Sequence, residues 1–368
     1  MTDQPIYTQE NSDATAAAVA SAQATFKFLW RELSWERRRI VTGVDLAAVK
    51  VAFALDANDP SIPSAENMWM SDLDFNGEQL TGVLINEPRW VASLQAGDRV
   101  SVPFADLSDW LYVSCGRVYG GFTIDGLRSE MGPAERAEHD QAWGLDFGEV
   151  GRIELVRQDP PVFFSRTLDT PQDREALTKL EHSEHPMCVA TLDAIRQDLR
   201  DNPGLVTDED EEGWTLLHRE VLAGNFEFVR ALTKQGADYK KPNRNGHTPL
   251  MLARMAGWPR LVDALVPGFP LWPIGLALVA AALGWLYWMI VPPLNGERAL
   301  DASPLGFVGA VLLLGMGLVS CTGPWYFNLR ERTPLWGKSR ALDIGAMLLG
   351  VLLAFLLHDQ LKSHLHGF

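Results

Sequence analysis

The chain has 368 residues, 47% of them hydrophobic, with 32 Lys and Arg against 47 Asp and Glu for a formal net charge of −15, and its length leaves room for two or three domains. The acidity is confined to the front: residues 1–268 carry 26 basic against 42 acidic side chains, and residues 269–368 carry 6 against 5. A front part so poor in clustered Lys and Arg excludes a phosphate-backbone binder, so nucleic acid is not expected as a partner. Three scattered cysteines without a CxxC pair exclude a disulfide framework and a cysteine zinc site.

The N-terminus, MTDQPIYTQENSD, lacks a basic start and an apolar core, so no cleaved signal peptide is expected. Residues 13–38 read as an amphipathic helix, Ala-rich and then FKFLWRELSW. Strand-like runs follow, VKVAFAL, NMWMSDLDF, LTGVLINEP and DRVSVPF, with Asn76-Gly77 as a hairpin turn. SDWLYVSCGRVYGGFTIDGLR then leads into a helical stretch near 127–142. The pattern predicts an α+β domain with a mainly antiparallel sheet over residues 13–160. The segments AENMWM (65–70), GVLINEP (82–88), AGDRVSVPFADLSDW (96–110) and YGGFT (119–123) give residues 16–128 a resemblance to domain of unknown function 2314, the YegJ-like family. The resemblance implies a fold and a bacterial origin; the family brings no catalytic residues to carry over.

A repeat comes next. GWTLLHREVLAGNFEFVRALTKQGAD (213–238) is followed 33 residues later by NGHTPLMLARMAGWPRLVDAL, with Gly213, Thr215, Leu217 and Gly224 matched by Gly246, Thr248, Leu250 and Gly257. This resembles the ankyrin repeat, of period 33 and signature G-x-T-P-L-H. Thr caps the first helix, and Pro is tolerated at its first position. Gly permits the turn between the two helices. The steps Leu199, Leu232, Leu265 and Ile195, Phe228, Leu261 place residues 187–200 in the second-helix position of a degenerate first repeat. Thr170-Pro171-Gln172-Asp173 opens the helix before it. Residues 170–266 are thus expected to form a short all-α ankyrin-like stack, since about three units are needed for stability. Leu217 and Leu250 should be buried between its helices. Glu220 departs from the pattern by standing where a small Ala usually packs. A carboxylate there must reach solvent or a partner, so the first full repeat is expected to pack loosely.

Residues 270–291 and 305–327 contain no charged side chain, over 22 and 23 positions, and about 20 such residues cross a hydrocarbon core. Residues 341–357 form a shorter third candidate containing Asp343. Arg330, Arg332, Lys338 and Arg340 fill the loop between the second and third. The positive-inside rule then puts that loop and the front domains in the cytoplasm and the C-terminus outside. The expectation is a multi-pass protein of the bacterial inner membrane, with the lipid bilayer as a partner.

The polar constellations carry little chemistry. Asn86-Glu87-Pro88 and Asp106 to Trp110 allow a hydrolytic site around Glu87 and Asp109 as an alternative. The structural reading has Pro88 ending a strand, Asp109 capping a turn and Trp110 in the core. His182, His185 and Cys188 have ligand-like spacing, but Pro186 breaks the helix that would align them. His358, His364 and His366 have no carboxylate cluster beside them, and His218 reads as the structural histidine of the repeat. No nucleotide, metalloprotease or nucleophile-elbow motif is present. No catalytic residue, cofactor or metal is therefore assigned. The expected function is a non-enzymatic, membrane-anchored adaptor or regulator that binds a protein through the stack; a regulatory subunit of a membrane transport complex is a further alternative. The candidate protein-binding residues are the acidic run Asp208, Glu209, Asp210, Glu211 and Glu212, and the basic tip one repeat later, Lys240, Lys241 and Arg244.

Overall fold

In the computed structural model, residues 13–55 and 63–265 are described. The long helix α1 (Asp13–Glu36) opens the chain. Strands β1 (Leu46–Ala54), β2 (Ala65–Phe75), β3 (Gln79–Leu84), β4 (Arg99–Pro103), β5 (Leu107–Ser114) and β6 (Arg117–Gly120) follow. They form a six-stranded sheet in the order β4-β3-β2-β1-β5-β6, antiparallel at every pairing. Asn76-Gly77 makes the β2–β3 turn, with the Asn76 carboxamide oxygen accepting from Glu78 N and Gln79 N. β3 stops at Leu84, four residues before the Pro88 expected to end it.

β5 is buried at all eight positions because both its faces are covered. On one face Trp110 packs under α1 and donates its indole N–H to Ala22 O at 2.9 Å; the small Ala18 and Ala22 let the helix come close. On the other face Leu111 and Val113 join Ala48, Val118 and Ile124, sealed by Leu145 and Phe147. The single helix expected near 127–142 is two, α2 (Phe122–Glu130) and α3 (Pro133–Trp143). Gly132 stands between them and Pro133 sits at the first position of the second, where its missing N–H costs nothing.

The second half is helical: α4 (Pro171–His182), α5 (Pro186–Asp201), α6 (Leu216–Ala223), α7 (Phe226–Lys234), α8 (Pro249–Met255) and α9 (Pro259–Leu265). Thr170 and Asp173 cap α4 reciprocally, as the sequence foretold. First helices α6 and α8 pack on each other, and so do α5 and α7. α4 departs from its expected place as the first helix of the degenerate repeat. It packs on α9 in the last repeat, and only Asp173 and Leu180 of its twelve residues are buried, so it lacks the apolar stripe a repeat helix needs. Leu217 is buried at 1% exposure as expected, but Leu250 is only half-buried, and Leu252 is the fully buried leucine of α8. Leu217 is covered by the next repeat; among the described residues no repeat follows Leu250.

Among the described residues no helix is long and apolar enough to cross a membrane. The segments 270–291, 305–327 and 341–357, and the histidines at 358, 364 and 366, lie outside the described residues.

Candidate functional site

The two loop tips are copies of one turn. Asp210 Oδ1 accepts from Glu212 N at 2.9 Å and Trp214 N at 2.8 Å, and 33 residues on Asn243 Oδ1 accepts from His247 N at 2.8 Å. The turns dock side by side, with Arg244 N donating to Glu212 O at 3.0 Å and the His218 ring meeting Lys241 O at 2.9 Å. Lys241 Nζ pairs with Glu209 at 2.6 Å, and Arg219 pairs with Asp210. The acidic and basic tips expected from the sequence therefore form one ledge. Within it Asp208, Glu209, Glu211, Glu212, Lys240 and Arg244 are exposed, while Asp210 and Lys241 are partly buried. Asp210 is structural. Burial pushes its carboxyl up, but the Trp214 and Glu212 amides and Arg219 outweigh this and hold it below the usual carboxylate range.

The opposite end of the stack, where each helix pair turns, is occupied by α1. Lys27 Nζ donates to Gly257 O at 2.6 Å and pairs with Glu181. Phe28 meets Trp258 edge-on at 5.7 Å. Arg31 donates to Ser183 O at 3.0 Å and stacks on Trp258. Trp35 donates to Asn225 Oδ1 at 2.8 Å and stacks on the His185 ring. Arg38, packed on Trp35 and Phe228, pairs with Glu220. Glu220 is thus not a point of loose packing. It is fully buried, and its other oxygen accepts from Asn225 Nδ2 at 2.8 Å. The β2–β3 hairpin lies along α8: a Cβ added at Gly77 would stand 3.0 Å from Leu252 and 3.1 Å from Met255, and Glu78 reaches His247 at 3.1 Å.

Burial sets the electrostatics of this joint. It lowers the Lys27 ammonium despite Glu181 and lowers Arg31 to about 10. Burial also pushes Glu32 up, but the His185 hydrogen bond at 2.9 Å and Arg39 together hold it below its ordinary value. His185 is therefore committed to Glu32, while His182 is exposed and bonds Thr178 O. The Cys188 thiol, buried beside Glu184, is pushed up to about 12. Those three residues share no ligand geometry. The α1 side of the joint was missed in the sequence; its one signal was Glu220 itself, an acid at a packing position that demands a cation.

The sheet domain's carboxylates hold backbone. Asp109 accepts from the amides of Phe122, Thr123 and Ile124 and from the Thr123 hydroxyl, capping α2 from inside the core. Burial raises it, with the Lys50 charge opposing. Glu87 accepts from Ala96 N at 3.0 Å, and Glu66 gathers the amides of Arg89, Trp90 and Val91. Asp109 is fully buried and Glu87 is exposed, so the two do not open together on one solvent-accessible site as the hydrolytic alternative needs. A cavity of ≈ 10 Å³ between Arg117, Asp125, Arg128 and Glu154 has room for about one water.

The model of the family described as "Uncharacterized protein conserved in bacteria (DUF2314)" matches residues 12–147, and that of "Ankyrin repeats (3 copies)" matches residues 185–270. The second begins just before α5, in keeping with the place of α4 outside the repeats. A Neisseria meningitidis serogroup B protein named for its ankyrin repeats is 41% identical over 268 residues, 73% of this chain and 99% of its own length. Escherichia coli uncharacterized protein YegJ is 32% identical over 90 residues, 24% of this chain and 58% of its own length. The human Notch-regulated ankyrin repeat-containing protein is 35% identical over 75 residues, 20% of this chain and 66% of its own length. No solved structure matches. At 41% identity over nearly the whole length of the Neisseria protein, the chain belongs to the family of that bacterial ankyrin repeat protein, and it carries an N-terminal match to the 2314 domain followed by ankyrin repeats.

Proposed function

We propose that this protein is a non-enzymatic adaptor that presents the acidic side of the loop-tip ledge of its ankyrin stack to a protein partner while residues 270–291, 305–327 and 341–357 tether it to the bacterial inner membrane, soluble part inside. Ankyrin repeats are a protein-binding architecture in general. The observation that carries the reading is the division of the stack's surface. The turn end and the inner side of α8 are taken by α1 and the β2–β3 hairpin, and the ledge at the other end is solvent-facing and rigidly cross-linked. Its exposed carboxylates, Asp208, Glu209, Glu211 and Glu212, suit a partner with a basic patch, mainly by raising the association rate.

The test leaves Asp210 in place because it holds the turn. A D208N/E209Q/E211Q/E212Q variant of the full chain in detergent is compared with the wild type for proteins cross-linked at the ledge. A specific partner captured by the wild type should be lost or bound at least tenfold more slowly at low salt, where screening is weakest. Equal capture by both forms would remove the ledge from the binding surface. For the tether, reporter fusions at Asn295 and Ser339 should read outside and inside respectively; the same reading at both would sink the three-span topology.

A further inference from the structure

The last repeat leaves its packing positions uncovered. Val221, Leu217 and His218 of the preceding repeat are at most 1% exposed, because the next repeat lies on them. Thirty-three residues on, Leu250 is half-buried, Met251 is 43% exposed and the position of Val221 is an exposed Arg254. The side chains of Arg254 and of the exposed Arg244 on the last tip have no partner among the described residues. Arg196, Arg219, Arg230 and Arg260 of the same helical region each face a carboxylate, and Arg174 and Arg200 bond a backbone carbonyl and a glutamine instead. A terminal repeat that meets water usually carries polar residues over the whole end. Here the half-buried Leu250 and the exposed Met251 stand on α8 beside the exposed Arg254, with the exposed Arg244 on the tip before it.

We propose that this end of the stack is a membrane-contacting surface, with Met251 and Leu250 at the headgroup level and Arg244 and Arg254 on anionic lipid phosphates. The inference rests on the tether reading. The described repeats end at Leu265 and the charge-free stretch begins at Pro270. Five residues span at most about 18 Å, which keeps the last repeat within reach of the bilayer surface. The chemistry matches that surface: arginine binds phosphate through a planar fork, and each basic side chain near an anionic leaflet adds about fivefold to the bound population. An exposed methionine adapts to a disordered apolar boundary without a fixed partner.

The experiment uses the full chain in nanodiscs carrying headgroup-spin-labelled lipid, with an environment-sensitive dye on Met251→Cys or, as control, on the exposed Ser93→Cys, both in a C115S/C321S background. Quenching should be stronger at position 251 than at 93 in discs containing phosphatidylglycerol and should weaken in pure phosphatidylcholine. R244Q/R254Q, which changes two exposed side chains and leaves the core intact, should lower the docked-to-undocked ratio by about fivefold per arginine. Loss of the chain from the membrane fraction after alkaline carbonate washing overturns the tether and this inference with it. Retention with equal quenching at both positions overturns this inference alone. Shielding of position 251 that grows with protein density and ignores lipid charge also overturns it, in favour of a protein neighbour on the same face.

Discussion

Glu220 shows what one side chain can decide. A carboxylate at 0% exposure is tolerable only with its charge answered, and Arg38 and Asn225 answer it from across the domain joint. Arg38→Ala should therefore destabilise a 1–265 fragment by about 3 kcal/mol, read as a lower urea midpoint, because it leaves a buried charge behind. Glu220→Gln together with Arg38→Met should recover most of that loss, since the neutral amide keeps the Asn225 bond and no charge is left buried. A double variant no more stable than Arg38→Ala alone would show that the arginine acts through its stacking on Trp35 and Phe228. The cysteines give a second check. Cys188 is buried with its thiol pushed up to about 12, whereas Cys115 is exposed at the tip of the β5–β6 turn. Thiolate is the reactive form, so iodoacetamide near neutral pH should modify Cys115 and reach Cys188 only after unfolding, as peptide mass analysis would show.

Among the elements, α8 and α1 carry the sharpest expectations. Leu252 is fully buried against the β2–β3 hairpin, and Leu250 is at the open end. Leu252→Ala should cost about 2–5 kcal/mol and Leu250→Ala clearly less; equal losses in thermal melts would mean that the open end is covered after all. For α1, the folded protein holds Glu32 below its ordinary value of 4.5. As pH falls through that value the unfolded chain takes up the proton first, so stability conferred by Glu32 is present above about 4.5 and is lost as pH drops through the lower folded value. Glu32→Gln should flatten that part of the acid melting curve. Much of this architecture was legible in the sequence because it is local: the period of 33 and Thr caps for the repeats, Asn76-Gly77 for the hairpin, alternation for β2. The break between α2 and α3 is marked just as locally, by Gly132-Pro133. The course of α1 was not legible. Its Lys27, Arg31, Trp35 and Arg38 find partners 150 to 230 residues away, and neither propensity nor period encodes a partner so distant. For the same reason α4 looked like a repeat helix: its caps are local, but its place on α9 is not.

Across the whole molecule, sheet and repeats are joined by one helix that belongs to both cores. One side of α1 meets Trp110, Phe75 and Phe104 of the sheet domain through Ala22, Phe26 and Trp30, and another meets Trp258 and Asn225 of the stack through Phe28 and Trp35. Fragment 1–265 should therefore melt in a single transition, while fragment 170–265, stripped of α1, should lose cooperativity and expose Trp258 to solvent quenchers. Two separated transitions in the longer fragment would show that the halves are independent. The joint has a further consequence for competition. Because α1 and the hairpin are carried on the same chain as the repeats, they meet the stack at an effective concentration on the order of millimolar. A free helix at micromolar concentration would then have to bind the same surface about a thousandfold more tightly to displace them. The tips carry no such competitor from the same chain, and their exposed side chains can change without disturbing the joint that holds the two halves together.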